Sequence, residues 1–431
     1  MPTIINRALP EGIKKIIRLF LSGIGRISCY GHNRFAKLEV PVILSNKKSP
    51  TFFGYHDKTP FSGDASKILA MSVTASDTRP ESEGTAMKLG YFAKNEKGEF
   101  EKRFIPFAET TTWCWQQGCM LQWHPSQPNS QVVFNALVDD AYGSVVFDIK
   151  QGKVVREYPY PIYSVAPTGT YAATLNFSRL GRLRPGYGYG LLPDSTAKSL
   201  VPEDDGLFVF DLQSAERKLV ASLPELAKGA GEQGCQHYIN HATFSPDGKQ
   251  IAFFHLWVDS DFNRGMRFFL YNLETQETLL MEGEKKVSHY CWISDEEILA
   301  TVQADRKAPW EYCTYRTKRV SHANNFGLSL KTDGHPMRSP VVKELFVTDS
   351  RANRIREDNV VIFNKINCKK VTVARFFMPV AYRDQVRCDL HPRWDREGRY
   401  IVADIVSKGR RAMAVVNIQA ALGRLKDNAQ D

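Results

Sequence analysis

Two stretches, INHATFSPDGKQIAFFHL (residues 239–256) and DLHPRWDREGRYIVADIV (389–406), match almost position for position although they stand far apart in the chain. Each carries a histidine, an aromatic three residues later, a polar turn, and then a run of alternating apolar residues. Asp-Gly and its relatives between two such runs signal a hairpin, because a tight turn needs residues that tolerate positive φ. Each copy therefore supplies two adjacent strands, and recurrence of the copy signals a repeat fold.

Weaker copies with the same order occupy 54–73, 118–137, 163–177, 287–302 and 332–349. Ser62, His124, Ala166, Ser245, Ser294, Ser339 and Asp395 then stand at equivalent turn positions, which predicts seven blades. Strand-like runs between copies, such as 144–150, 206–212, 266–273 and 359–365, would complete four strands per blade. The run LEVPVILS (38–45) is expected to finish the blade built from the C-terminal copy, closing the ring without a free sheet edge. The predicted fold class is all-β: a seven-bladed β-propeller over 38–418. A basic, partly helical extension (1–37) precedes it and a polar tail (419–431) follows it. Within the remainder only 224–228 and 418–426 read as helical.

Composition is consistent with one large globular unit: 431 residues, 43% hydrophobic and 24% charged, supply a sizeable core. The formal charge of +10 predicts attraction to a polyanion, whether nucleic acid, an acidic membrane surface or an acidic glycan. No zinc-knuckle spacing and no aromatic stacking signature is present, which argues against nucleic acid. Eight cysteines without a CxxC pair read as reduced, mostly buried thiols. Lys14, Lys15 and Arg18 precede a very short apolar stretch (19–24) with no small-residue cleavage site, so a cytoplasmic location is expected. No apolar run is long enough to span a bilayer. Residues 10–27 are expected to form a basic amphipathic helix, either packed on the propeller rim or making peripheral contact with an anionic membrane.

In a propeller the first strand of every blade lines the central channel, so residues just ahead of it crowd at one mouth of a funnel. The repeat places His56, His241, His289, His335 and His391 near that point in five blades, with Asn240, Asp333, Asp389 and Gln117 close by in sequence. Converging neutral imidazoles suit a divalent transition metal, with carboxylate or amide oxygens filling the remaining positions. The competing reading makes these histidines hydrogen-bonded struts that tie a turn to a strand.

Long insertions at 77–88, 110–117 and 176–195 are where binding residues are expected on a rigid scaffold. The last of them carries Arg179, Arg182 and Arg184 followed by Tyr187 and Tyr189, guanidinium forks and phenols that suit a sugar carboxylate. Trp115, with Trp113 and Trp123, offers flat faces for sugar rings or fills blade cores. His124 and His255 flank strand-like runs and either reach the funnel or lie buried.

GYHDKTPFS, WQQGCMLQWHP, RLRPGYGYG, INHATFSPDGKQIAFFH, SHYCW, DGHP and RCDLHPRW together resemble the propeller polysaccharide lyases. These are the oligogalacturonate lyases, the short ulvan lyases and related propellers encoded with bacterial surface-polysaccharide genes. The likeness covers roughly residues 50–418. It implies β-elimination at a uronic acid: the carboxylate is neutralised, a base takes the C5 proton, and the 4-linked sugar leaves with a proton from an acid. In oligogalacturonate lyases a manganese ion is held by histidines and a glutamine, and in ulvan lyases His and Tyr act as base and acid beside an Arg.

The resemblance assigns His241, His289, His335 and His391 to a divalent ion, Mn2+ by analogy. It assigns Arg184 to the carboxylate, and Tyr187 or Tyr189 with His124 to proton transfer. Arg179, Arg182, Trp115, Gln117 and His56 are expected to touch substrate. Gln236, Gln117 and Gln385 all remain candidates for the glutamine ligand. The partner so implied is an acidic oligosaccharide or polysaccharide. Two other readings stay open: a non-catalytic propeller binding glycan or protein in surface-polysaccharide assembly, and a glycoside hydrolase or transferase. The last needs a carboxylate pair drawn from Asp57, Asp139, Asp140, Asp259 and Asp389.

Overall fold

The computed structural model describes residues 11–35, 41–47, 49–80, 84–231, 234–318, 324–325, 330 and 332–427. Seven four-stranded antiparallel sheets follow one another along the chain. Blades one to six run over 51–110, 122–158, 164–222, 236–282, 286–325 and 337–377. Blade seven takes three strands from 393–417 and its outermost strand, Val42–Leu44, from the other end of the chain. There Ile43 stands opposite Ala414, so the segment expected to close the ring does so.

Six of the seven turn positions read from the repeat lie between the first and second strands of a blade, and Ser294 ends the first strand of blade five. In six of them the same hairpin hydrogen bond recurs, from the N–H of Ser62, His124, Ala166, Ser245, Ser339 or Asp395 to a carbonyl at the start of the next strand. Local side chains close the turn: in blade four Ser245 Oγ donates to Asp247 Oδ1 (2.6 Å) and accepts from Gln250 N (3.0 Å). Gly248, at φ +76°, provides the left-handed residue that this geometry requires. Ser62 and Asp64 repeat the arrangement in blade one, with Ala65 at φ +53° in place of glycine.

Alternating apolar residues pack the blades face to face, with clusters spanning blades three to five and blades seven, one and two. The seam between blades seven and one has an added clasp. Asp404 accepts from the N–H groups of Phe53 and Gly54, both at 3.0 Å, and from Arg393 at 2.9 Å. Arg393, fully buried, also donates to the carbonyls of Gly54 and Tyr55. The clasp thus fixes the segment that delivers Tyr55 and His56 to the axis.

Among the described residues four α-helices decorate the ring: α1 (Glu11–Phe35), α2 (Phe177–Leu183), α3 (Leu223–Ala227) and α4 (Gln419–Asp427). α1 rests on the outer strands of blade six, where Gly25 meets the carbonyl of Ile355 so closely that no side chain fits between them. α2 lies in the 176–195 insertion, read from sequence as a loop. It is two turns long, too short for its periodicity to register, and starts at Asn176, whose side chain accepts from Arg179 N at 3.0 Å. None of the helices is long and apolar enough to cross a membrane among the described residues. Among the described cysteines none forms a disulfide, and most are buried.

Candidate metal centre and acidic-ligand groove

Five histidines from five blades do converge, with Tyr55 at their centre. The rings of His289 and His335 are 3.9 Å apart between centroids, His335 and His391 4.3 Å, and His56 and His335 5.1 Å. All five are buried. His241 is held differently from this group: Tyr55 stacks on it at 4.7 Å. Both of its nitrogens also face phenols, Nε2 lying 3.3 Å from Tyr55 Oη and Nδ1 3.2 Å from Tyr163 Oη. Of the expected quartet of ligands, His241 thus lies in a tyrosine-lined polar cluster, while His335 and His391 share a set with Asp389.

The tight set is His335, His391 and Asp389, each with a ligand atom within 4.8 Å of the others. Two observations make it fit a cation. First, the Nε2 atoms of His335 and His391 are buried with no hydrogen-bond partner among the described residues, a costly arrangement unless something binds them. Second, Asp349 lies behind His335, its oxygens 2.8 and 2.9 Å from Nδ1. A carboxylate there holds the N–H on Nδ1 and leaves the Nε2 lone pair facing the set, the orientation seen in metal-binding histidines. Asp349 also accepts from the backbone N–H of His335 (2.8 Å) and of His391 (3.1 Å), so one carboxylate sets two ligands. Backbone strain marks the same place: His241 and His391 are held at φ +55° and +43°, a region non-glycine residues seldom occupy.

Electrostatics keep the imidazoles neutral. Burial pushes His56, His241, His335 and His391 well below the usual histidine range; neighbouring imidazoles and guanidinium groups push the same way, and at His391 Asp389 opposes them without prevailing. Burial also lowers His289, against the opposing pull of Asp333 3.0 Å from its Nδ1. Burial alone would raise Asp389, but Arg351 and Arg387 outweigh it and hold the carboxylate ionised. These are the protonation states a metal ligand needs.

A groove of ≈ 1040 Å³ lies at the mouth between blades four and five, and Arg351 and Arg387 in its wall connect it to the centre through their bonds to Asp389. Arg184, Tyr187, His289, Asp333, Arg351 and Arg387 line its inner part. Arg351 bonds Asp389 (2.7 Å) and Asp333 (3.2 Å), while Arg387 bonds Asp389 (2.8 Å) and the Tyr187 hydroxyl. Arg184 lies 4.3 Å over the Tyr187 ring. With Arg264, Lys285, Lys286 and Arg306, seven cationic side chains face Glu284, Asp305 and Asp333, so the groove is built for an anion.

Several expected site residues lie elsewhere. Arg179 is 1% exposed, and its guanidinium donates to the carbonyls of Thr196, Ser199, Leu200 and His237, which makes it a strut beneath α2. Arg182 pairs with Asp194 and with Gln236 on the exposed side of that helix, which engages Gln236 as well. Tyr189 is buried against Phe177 and accepts from Asn135. Trp115 is buried under Arg411, its N–H donated to the Arg79 carbonyl. His124 sits in the first-to-second-strand turn of blade two, whereas the groove lies at the second-to-third-strand hairpins, the opposite end of the blades.

His56 and Gln117 do reach the axis. His56 lies 3.3 Å from the Tyr290 carbonyl, and Gln117 donates to Tyr163 while its Oε1 has no partner among the described residues. The carbonyl of Gln385 accepts from Gln116. Asp139 and Asp140 occupy a hairpin turn of blade two and Asp259 a turn of blade four, so neither pairs with Asp389. Sequence reasoning missed Tyr55, Arg351 and Arg387. The first and last were within reach, since Tyr55 adjoins His56 and Arg387 lies four residues before His391.

No protein-family model matches the chain, and no curated protein matches it in sequence. Its fold is similar to solved structures. One is an oligogalacturonate lyase in complex with manganese, with a TM-score of 0.60, 13% identity, and coverage of 88% of this chain and 93% of that one. Another is an oligogalacturonate lyase from Vibrio parahaemolyticus, with a TM-score of 0.59, 11% identity and the same coverages. At such identities the likeness establishes the seven-bladed propeller.

Proposed function

We propose that the protein is a metal-assisted lyase that cleaves a uronic-acid-containing oligosaccharide by β-elimination. The observation that carries this reading is the junction of two features: a buried His335–His391–Asp389 set with two unpartnered Nε2 atoms, and a cationic groove two of whose arginines, Arg351 and Arg387, bond Asp389. A divalent ion, Mn2+ by analogy with the manganese complex, would be held by that set and would withdraw charge from the sugar carboxylate, acidifying the C5 proton.

The remaining roles belong to side chains of the groove. Arg387 and Arg184 grip the carboxylate, as forked donors do. His289 lines the groove and is outside the tight set. With its Nδ1–H held by Asp333, it keeps Nε2 free to accept the C5 proton. Tyr187, positioned by Arg387, returns a proton to the leaving oxygen. Arg264, Lys285, Lys286 and Arg306 suit further acidic units of the chain, so the preferred substrate carries more than one carboxylate.

Metal content after purification from untreated cells, followed by ultraviolet detection of unsaturated uronate from acidic oligosaccharides, tests the reading. His335→Ala should lose the metal, while His289→Gln should keep it and lose at least about a hundredfold in turnover. Metal with bound glycan but no new absorbance would leave a carbohydrate-binding propeller instead. Full metal retention in His335→Ala would remove the ligand assignment.

A further inference from the structure

The helix α1 turns its apolar side away from the protein. Ile13, Ile16, Ile17, Phe20, Ile24 and Ile27 follow one another at i, i+3, i+4, i+7, i+11 and i+14, a single stripe along the helix. Their exposures run from 41% to 76%. A helix seated on a globular protein ordinarily buries such a stripe. Here the seat is Gly25 against Ile355.

Charge decides what would cover the stripe. Residues 11–35 hold Lys14, Lys15, Arg18, Arg26 and Arg34 against the single acid Glu11, in a chain already at +10. An amphipathic helix of low overall hydropathy with excess cations lies in the plane of a bilayer, apolar side among the upper acyl chains and cations among anionic headgroups. A purely apolar protein partner would call for the stripe but not the cations. The helix is too polar to span, consistent with lying flat. Its seat is also informative: Ile355 belongs to the same 350–356 segment as Arg351, which lines the groove, so docking through α1 keeps the mouth near the surface.

We propose that α1 docks the propeller onto an anionic membrane surface, its isoleucine and phenylalanine stripe inserted in the interfacial layer. Co-sedimentation of the full chain with phosphatidylcholine vesicles, with and without phosphatidylglycerol, tests this. Binding should require phosphatidylglycerol and weaken with salt. The double variant Ile16→Asp/Phe20→Asp should bind at least about tenfold more weakly, each side chain forfeiting its insertion. Because both positions are exposed, its melting temperature should match the parent's, which separates lost docking from lost folding. Absence of binding to the anionic vesicles, or equal binding by the double variant, would overturn the proposal. So would a parent oligomer that ignores vesicles and dissociates on that substitution, which would assign the stripe to a second protein.

Discussion

Replacing Asp349 by asparagine keeps the shape of a buried side chain and changes what its two ends offer. One oxygen now serves His335 N (2.8 Å) and His335 Nδ1 (2.8 Å), and the other serves Nδ1 (2.9 Å) and His391 N (3.1 Å). Whichever way the amide is turned, an NH2 group faces one backbone N–H and lies within 2.9 Å of Nδ1. A backbone donor left without an acceptor costs about 1–3 kcal/mol. The neutral amide also relieves repulsion: burial and then Asp358 raise the Asp349 carboxyl well above its ordinary range, and removing that charge offsets part of the loss. Net destabilisation should therefore be small, ~1 kcal/mol.

The effect on the imidazole should be larger. An NH2 beside Nδ1 favours the tautomer that carries its proton on Nε2, the atom left open within the His335–His391–Asp389 set. Loss of such an orienting partner typically weakens a metal site about 10–100-fold. Calorimetric titration of the chelator-stripped protein with Mn2+ measures the affinity, and urea unfolding of the stripped protein measures stability. An affinity within about twofold of the parent, at preserved stability, would refute the claim that Asp349 sets the tautomer.

Arg393→Met removes the cation from the clasp between blades seven and one, leaving Asp404 buried and the carbonyls of Gly54 and Tyr55 without that donor. A loss of ~3–5 kcal/mol is expected, read as a lower urea midpoint. Arg387→Ala should raise KM for a uronate oligomer at least about tenfold while barely affecting a neutral sugar; equal effects on both would remove Arg387 from carboxylate recognition. Stability should fall as the pH drops below about 6.5. Eight histidines have folded-state affinities for protons lowered chiefly by burial, with His237 at about 4 and His255 at about 3, so the unfolded chain takes up protons that the folded chain refuses. Asp358, raised to about 7 mainly by burial, binds its proton in the folded state first and offsets part of this slope. Flat stability between pH 7 and about 4 in chemical unfolding would contradict the burial of these imidazoles.

The propeller was legible because its signals are local. Ser62–Asp64 and Ser245–Asp247 close their turns with their own side chains, and an alternating strand declares its two faces within a few residues. Such features repeat with the blade, so seven turns could be counted and the Val42–Leu44 closure foreseen. Convergence of the histidines followed from the symmetry of the ring. The N-terminal helix was equally visible, since its stripe and cations are a matter of spacing.

What belongs to the site was a different matter. His241 and His391 occupy equivalent places in repeats of the same pattern, yet one is enclosed by Tyr55 and Tyr163 and the other stands beside Asp389. Arg179 and Arg387 are both arginines near tyrosines, yet the first is used up by carbonyls beneath α2 and the second opens on the groove. Sequence by itself determined the scaffold and the axis on which chemistry would gather, because hairpins and strand faces depend on neighbours along the chain. Only the tertiary structure decided which imidazoles are left with a free nitrogen. That depends on acceptors such as Asp349 and cations such as Arg351, delivered from other turns of the chain to within 3 Å, and no spacing in the sequence encodes such a distance.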